Sequence, residues 1–362
     1  MERADMVQCD VDGINRIILI GSDSGKRKIY FEKAAADAGV NLSFYDWKDF
    51  FLLEKAESLE NSVVKIDAPE WESCRLRELD ELTAQYEERL FQLAKLPFGA
   101  FFNHPFEIAE ALNKRKCKQR LMENGIAVTE MYEEHFSRRE ELFDFMKEQR
   151  LHQVFIKPLK GSGAAGVTAL RFSPAKGKTV LYTCAALNRD EIVNTKKMYR
   201  LEDKDGAAFL DKLLELDCAV EKWYRKSVFE GYSYDLRVVV QDNHVDYILP
   251  RLSKGPITNL HLNNHSVEFS KLNLDNAVVD RLTEVCIRAA GCYPRLKSIG
   301  MDVLLEKESQ KPYVIEMNAQ GDLLHKDVYH ENKIYKRQIE IMKAMTAYGS
   351  AETGYETDST QS

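Results

Sequence analysis

Two patterns of apolar and polar positions succeed one another along this chain. From Arg16 to Gly21 it reads Arg-Ile-Ile-Leu-Ile-Gly, a continuous apolar run too short for a helix and typical of a strand buried on both faces. A Ser/Gly turn and a helix ending at Ala38-Gly39 come next, and then a second short run, Leu42-Ser43-Phe44-Tyr45. That order predicts a β-α-β opening, the usual start of a parallel sheet. A charged helix is expected from about Cys74 to Lys95, where Leu76, Leu79, Leu82, Leu90 and Leu93 recur at helical spacing. Asn103-His104-Pro105 breaks the chain before another helical stretch.

From about Gln153 the pattern changes to strands and hairpins. Val154–Lys157, Gly166–Phe172, Thr179–Cys184, Tyr234–Gln241 and Val245–Leu252 are the expected strands, with Asp242-Asn243 as a hairpin turn. A helix over Asp275–Ala290 precedes two more strands, Ile299–Leu305 and Pro312–Asn318, and a last helix is expected over Glu331–Ala347. The fold class is therefore mixed: an α/β opening with a parallel sheet, then an α+β region with antiparallel sheets. Only the tail, Gly349 to Ser362, is polar and small enough to be expected as disordered.

The last strand pair carries the most specific chemistry. Glu316 and Asn318 are two residues apart on one strand and so face the same way, and Asp302 on the neighbouring strand can join them. Two carboxylates and an amide oxygen form a hard, all-oxygen donor set suited to Mg²⁺, or Mn²⁺, that keeps some waters and holds phosphates. A solvated hairpin face is the plain alternative for these three residues taken alone.

Gly161-Ser162-Gly163-Ala164-Ala165-Gly166 matches GxGxxG, but the residues directly after it, Val167 to Phe172, have the pattern of a strand. A dinucleotide site needs a helix there to receive the pyrophosphate. A glycine-rich turn between two strands instead suits a flap over phosphates, its backbone N–H groups facing the anion. Lys157 ends the strand entering that flap and can aim one ammonium at a phosphate. Gly21 to Lys26 is one residue short of a P-loop, and Arg27 stands where Ser or Thr would hold Mg²⁺, so it reads as a β-α turn. Ala219 to Tyr224 is a strand leading into a polar loop. Asp235 and Arg237 share a face of the next strand, Arg251 ends its partner, and Asn259 comes after it. These supply forked cations and an amide for phosphate or carboxylate recognition.

Composition narrows the class. The 362 residues are 44% hydrophobic, enough for a sizeable core and two or three domains. Mean hydropathy is −0.41, and no apolar run approaches the ~20 residues that cross a bilayer, so no membrane role is expected. A net charge of −7 and a pI near 5.8 argue against nucleic acid as the main partner. The N-terminus lacks a basic-then-apolar signal, and the seven cysteines lack CxxC spacing, as expected for reduced thiols of a cytoplasmic protein.

Taken in order, these pieces resemble the ATP-grasp superfamily, closest to its RimK-like carboxylate–amine ligases, over roughly Asn113 to Lys343. The resemblance implies residues 1–112 as a preceding α/β domain, 113–348 as the ATP-grasp domain, with its antiparallel sheets sandwiching ATP, and 349–362 as a tail. It implies Lys114, at an Asn-Lys helix start where the family has Asp-Lys, and Lys157 as the ATP lysines, with Gly161, Ser162 and Gly163 in the flap. Glu221, Lys222 and Tyr224 fall at the adenine hinge, and the ribose contact stays open between Glu230 and Asp235. Arg237, Arg251 and Asn259 fall on the phosphate side, and Asp302, Glu316 and Asn318 at the metal. Asp322 and His325, in the loop beyond the metal residues, would border the acceptor. The implied reaction joins a small-molecule or peptide carboxylate to an amine through an acyl-phosphate, with ATP and Mg²⁺, in a protein that can self-associate. A kinase on the same fold and an inactive nucleotide-binding module are the alternatives.

Overall fold

The computed structural model describes residues 16–53, 55–56, 59–70, 73–160, 164–262, 264–321 and 331–352, with only the backbone for Lys196, His261 and 346–352. The chain falls into two compact units interleaved in sequence. The described residues within 1–69, 93–104 and 323–362 form one, and those within 70–92 and 105–322 the other.

The first stretch runs β1 (Arg16–Gly21), α1 (Lys26–Asp37), β2 (Leu42–Asp46), a short α2 (Phe50–Leu53), β3 (Ser62–Ile66), α3 (Leu76–Leu93) and β4 (Ala100–Phe101). Helices α4 (Pro105–Leu112), α5 (Lys114–Glu123) and α6 (Arg139–Glu148) come next. Then come β5 (Gln153–Pro158), β6 (Thr168–Ser173), β7 (Lys178–Asn188), β8 (Glu191–Glu202), α7 (Asp203–Leu214) and β9 (Cys218–Lys222). The chain continues through β10 (Val228–Phe229), β11 (Tyr232–Gln241), β12 (His244–Ser253), β13 (His265–Ser266) and α8 (Asn276–Gly291). It closes with β14 (Ser298–Leu305), β15 (Pro312–Asn318) and α9 (Lys333–Glu352).

In the first unit the four parallel strands lie in the order β2-β1-β3-β4. The continuous apolar run of β1 is explained by burial on both faces: Ile17, Ile18, Leu19 and Ile20 are all buried. Phe31 of α1 meets Tyr335 of α9 edge to face at 5.7 Å, and Ile339 and Met342 join them over Ile17, Leu19 and Val63. The expected last helix is thus present, and it packs on this first sheet, although most of the other unit's strands and helices lie between them in sequence.

The second unit holds two antiparallel sheets. One has five strands in the order β8-β7-β6-β5-β9. Helices α6 and α7 cover one of its faces, burying Leu142, Met146, Phe209 and Leu213 against Val154, Ile156, Leu170 and Leu181. The other sheet runs β13-β12-β11-β14-β15, with β10 added to β11, and α8 turns Val278, Leu282 and Cys286 inward. At Asp242-Asn243 both residues have positive φ (45° and 61°), the twist a two-residue hairpin turn requires. Strand β8 was not legible in the sequence. Its Asn-Thr-Lys-Lys stretch hides the apolar alternation, and pairing with β7 along most of its length supplies the order that propensity lacks.

Candidate functional site

Residues from both sheets of the second unit wall a cleft of about 660 Å³, measured to its open mouth. Register explains much of the convergence. Strand β14 lies between β11 and β15, so Asp302 faces Arg237 on one side and Glu316 on the other. Asn318, two residues beyond Glu316, pairs with Gly300. Asp235 of β11 stands opposite Arg251 of β12. Six of the residues singled out from sequence are thereby fixed by four neighbouring strands, and a one-residue slip would turn them to the wrong face.

Asp302 accepts from Arg237 Nη1 at 2.6 Å and from Arg251 Nη2 at 2.8 Å. Arg251 Nε donates to Asp235 Oδ1 at 2.8 Å. Lys226 Nζ donates to Asp235 Oδ2 at 3.2 Å, and the Thr258 hydroxyl donates to that same oxygen. Burial alone would raise the Asp235 pKa, but Arg251 and Lys226 outweigh it and hold the carboxyl well below its usual range. Burial would lower Arg251; Asp235 and Asp302 reverse that and raise it. For Lys226 burial prevails over Asp235, so its pKa is lowered.

A second charged group lines the same cleft from the five-stranded sheet. Glu221 of β9 is 1% exposed. Its Oε2 lies 2.7 Å from Lys118 Nζ and 2.8 Å from Lys157 Nζ, and accepts from Thr129 Oγ1 at 3.1 Å. Among the described residues its Oε1 is buried without a hydrogen-bond partner. Burial would raise the Glu221 pKa, but the two lysines pull it down to about 2. Lys118 is held down to about 8 because burial outweighs Glu221. Lys157 feels the same burial, and there the charges of Glu221 and Glu316 win and raise it.

Lys114 opens α5, where the Asn113 side chain accepts from the N–H groups of Arg115 and Lys116, both at 3.1 Å. Asn therefore performs the cap that an Asp would. With Lys118, Lys114 borders a smaller pocket shared with Glu316 and Asn318. Burial lowers its pKa, partly countered by Glu316. Lys222 and Tyr224 also line the cleft; Lys222 is 3.1 Å from Glu130, and Tyr224 packs on Tyr313 at 4.7 Å. Asn259 is a further lining residue. Gly161, Ser162, Gly163, Asp322 and His325 lie outside the described residues. The segment holding those glycines joins β5 to the antiparallel β6, so no dinucleotide-type helix comes after it.

Glu230 does not reach the cleft. It is exposed in the tight turn between β10 and β11, with φ of 48° before Gly231 at 81°. Four contributors went unrecognised in the sequence: Lys118, Thr129, Lys226 and Thr258. Lys118 carried a usable signal, since it lies one helical turn from Lys114 on the same face. Lys226 and Thr258 sit in irregular loops, where no period marks them.

The Asp302–Glu316–Asn318 set fits a hard divalent cation. All its donors are oxygens, the carboxylates are direct cross-strand neighbours, and Glu316 makes no ion pair among the described residues. Asn318 Oδ1 also accepts from Gln320 N–H at 3.0 Å, which fixes the amide's orientation. The loop beyond it passes so close to β14 that a Cβ on Gly300 would lie 2.5 Å from the Gly321 carbonyl oxygen. Only glycine permits that approach.

No protein-family model matches the sequence, and no curated protein does. Solved structures do. D-cycloserine synthetase DcsG is similar over 91% of this chain and 99% of its own, with a TM-score of 0.60 and 12% identity. A RiPP-associated ATP-grasp ligase of Chryseobacterium gregarium, in complex with ADP and a leader and core peptide, gives 0.59 and 15% over 91% and 97%. D-alanine–D-alanine ligase from Bacillus anthracis, complexed with ATP, gives 0.53 and 14% over 94% and 99%. The chain has the ATP-grasp fold. Among the described residues no helix is long and apolar enough to cross a membrane.

Proposed function

We propose that this chain is a Mg²⁺-ATP-dependent carboxylate–amine ligase that works through an acyl-phosphate. The observation that carries the reading is one cleft of an ATP-grasp fold lined by Asp302, Glu316, Lys157, Arg251 and Glu221, with Arg237 on Asp302 and Asn318 beside Glu316. The base end is suited to adenine. Glu221 Oε1 is a buried acceptor without a partner, and an exocyclic amine is the donor that would relieve it. Lys157 and Lys114 would bind α- and β-phosphate oxygens, with Gly161, Ser162 and Gly163 as the expected phosphate flap. Asp302, Glu316 and Asn318 would hold Mg²⁺ or Mn²⁺, which when bound neutralises phosphate charge.

In the first step a substrate carboxylate oxygen attacks the γ-phosphorus and the bond to the ADP oxygen breaks. Arg237 and Arg251 meet the charge on the transferring group, as fixed donors that need no reorganisation. In the second step an amine attacks the acyl carbon, phosphate leaves, and the nitrogen loses a proton to give the amide. Burial of Asp235, Arg251 and Glu221 describes a cleft that limits water, which protects an acyl-phosphate from hydrolysis. Several similar structures are enzymes complexed with precursor or core peptides, which supports peptides beside small molecules as substrates.

Hydroxylamine tests this reading. Incubation with Mg²⁺-ATP, pooled carboxylates and hydroxylamine should yield a hydroxamate together with ADP and phosphate. A phosphorylated alcohol and no hydroxamate would replace the ligase by a kinase, and nucleotide bound without any turnover would favour a binding module.

A further inference from the structure

Lys226 belongs to none of the recognisable motifs, yet the fold places it tightly. Its backbone is pinned to the β14–β15 hairpin: it bridges Glu306, Ser227 N–H donates to Leu305 O at 2.8 Å, and Lys307 N–H donates to Arg225 O at 2.8 Å. From there its side chain, 10% exposed, enters the cleft wall. An ammonium has three donors. Those of Lys226 meet Asp235 Oδ2 at 3.2 Å, Thr258 Oγ1 at 2.9 Å and the Pro256 carbonyl at 3.4 Å. None is left for a ligand.

Both oxygens of Asp235 also have partners. Oδ2 takes Lys226 and the Thr258 hydroxyl, while Oδ1 takes Arg251 Nε, leaving Arg251 Nη2 directed at Asp302. A single guanidinium held by Nε on one carboxylate and by Nη2 on another has its plane fixed. With Lys226 and Thr258 removed, Asp235 could swing toward solvent, and Arg251 would lose one of its two holds.

We propose, resting on the nucleotide-binding reading above, that Lys226 and Thr258 are positioning residues: they commit Asp235 to anchoring Arg251 for the γ-phosphate, and so withdraw Asp235 from reading the ribose. Lys226 acts only through Asp235 and Arg251. The consequence is specific to one part of the nucleotide, which separates it from a general loss of structure.

Calorimetric titration with ATP, ADP and 2′-deoxy-ATP in the presence of Mg²⁺ tests this without knowing the substrates. In wild type the γ-phosphate should favour ATP over ADP. Lys226→Met should reduce that ATP-to-ADP preference roughly tenfold, with ADP affinity and the ATP-to-2′-deoxy-ATP ratio unchanged within about threefold. Lys226→Arg should recover part of the preference. Thr258→Val removes the hydroxyl's two hydrogen bonds, the one donated to Asp235 and the one accepted from Lys226, at nearly constant volume, and should show the same selective loss, smaller, should Lys226→Met fail to fold. Equal losses for ATP and ADP with a collapsed deoxy ratio would make Asp235 the sugar ligand and overturn the proposal. An unchanged ATP-to-ADP preference in Lys226→Met and Thr258→Val would overturn it as well. A wild-type protein that binds none of the three nucleotides would defeat the nucleotide reading itself, and this inference with it.

Discussion

Glu221 and Asp235 are both buried carboxylates set between cations in the wall of one cleft, but among the described residues only Glu221 of the two keeps an oxygen without a partner. Around Glu221 two lysines share Oε2, and Oε1 waits for a donor. Around Asp235 both oxygens are taken, and Arg251 carries the chain of contacts on to Asp302 and Arg237. Each cluster carries one more cation than carboxylates, so each favours an anion. They differ in what remains unmet. A buried acceptor left alone costs about 1–3 kcal/mol, a penalty that a bound base can cancel. A network in which both oxygens already have donors offers a ligand less gain and instead fixes direction. On the proposed reading, the Glu221 cluster would receive the nucleotide, and the Asp235 cluster would aim the groups that act on it.

The largest effect should come from breaking the aimed cluster at its centre. Asp302→Ala, like Glu316→Ala, should lower turnover by about 10³-fold or more while thermal unfolding stays cooperative. Wild-type rates in both variants would remove these carboxylates from the site. Next is the receiving cluster's response to acid. The folded Glu221 carboxyl titrates near 2 against an ordinary 4.5, so the unfolded chain binds more protons between those values. The stability it contributes is complete above about 4.5 and is lost as pH falls toward 2. Glu221→Gln should therefore flatten the acid side of the stability profile by about 3 kcal/mol. A slope equal to wild type would mean that Glu221 is not held by its lysines.

Lys157→Met should weaken ATP binding about 30-fold, and ADP nearly as much, since Lys157 is assigned to the inner phosphates. A loss confined to ATP would erase the distinction between the two clusters. The smallest effect concerns the loop behind the proposed metal residues. Gly300→Ala must push the Gly321 backbone away, costing about 1–3 kcal/mol and raising the Mg²⁺ concentration needed for half-maximal activity. If metal dependence did not move, the loop would have no part in orienting Asn318.

The same difference governs what could be read beforehand. The grouping of Asp302, Glu316 and Asn318 was legible because a strand's period of two places residues on a known face and both strands are apolar. Lys157 was legible because its strand runs into a glycine-rich turn. The true setting of Asp235 was not, because it depends on Lys226 and Thr258, each in a loop without periodicity and distant in sequence from the other. Glu221 looked like a hinge residue, and its hold on Lys118 could be inferred only from a helix period within a crowd of cations, Lys114, Arg115, Lys116, Lys118 and Arg120. The packing of α9 on the first sheet is likewise invisible locally, since an amphipathic helix does not state which apolar face it will meet.

Mass spectrometry of the products tests the central claim most directly. The protein would be incubated with Mg²⁺-ATP and pools of amino acids, small carboxylates and peptides, and each pool that releases ADP and phosphate analysed for a new mass. A product equal to the sum of two components less one water is the predicted result. A product heavier than one component by a phosphate, formed whether or not an amine is present, would contradict it.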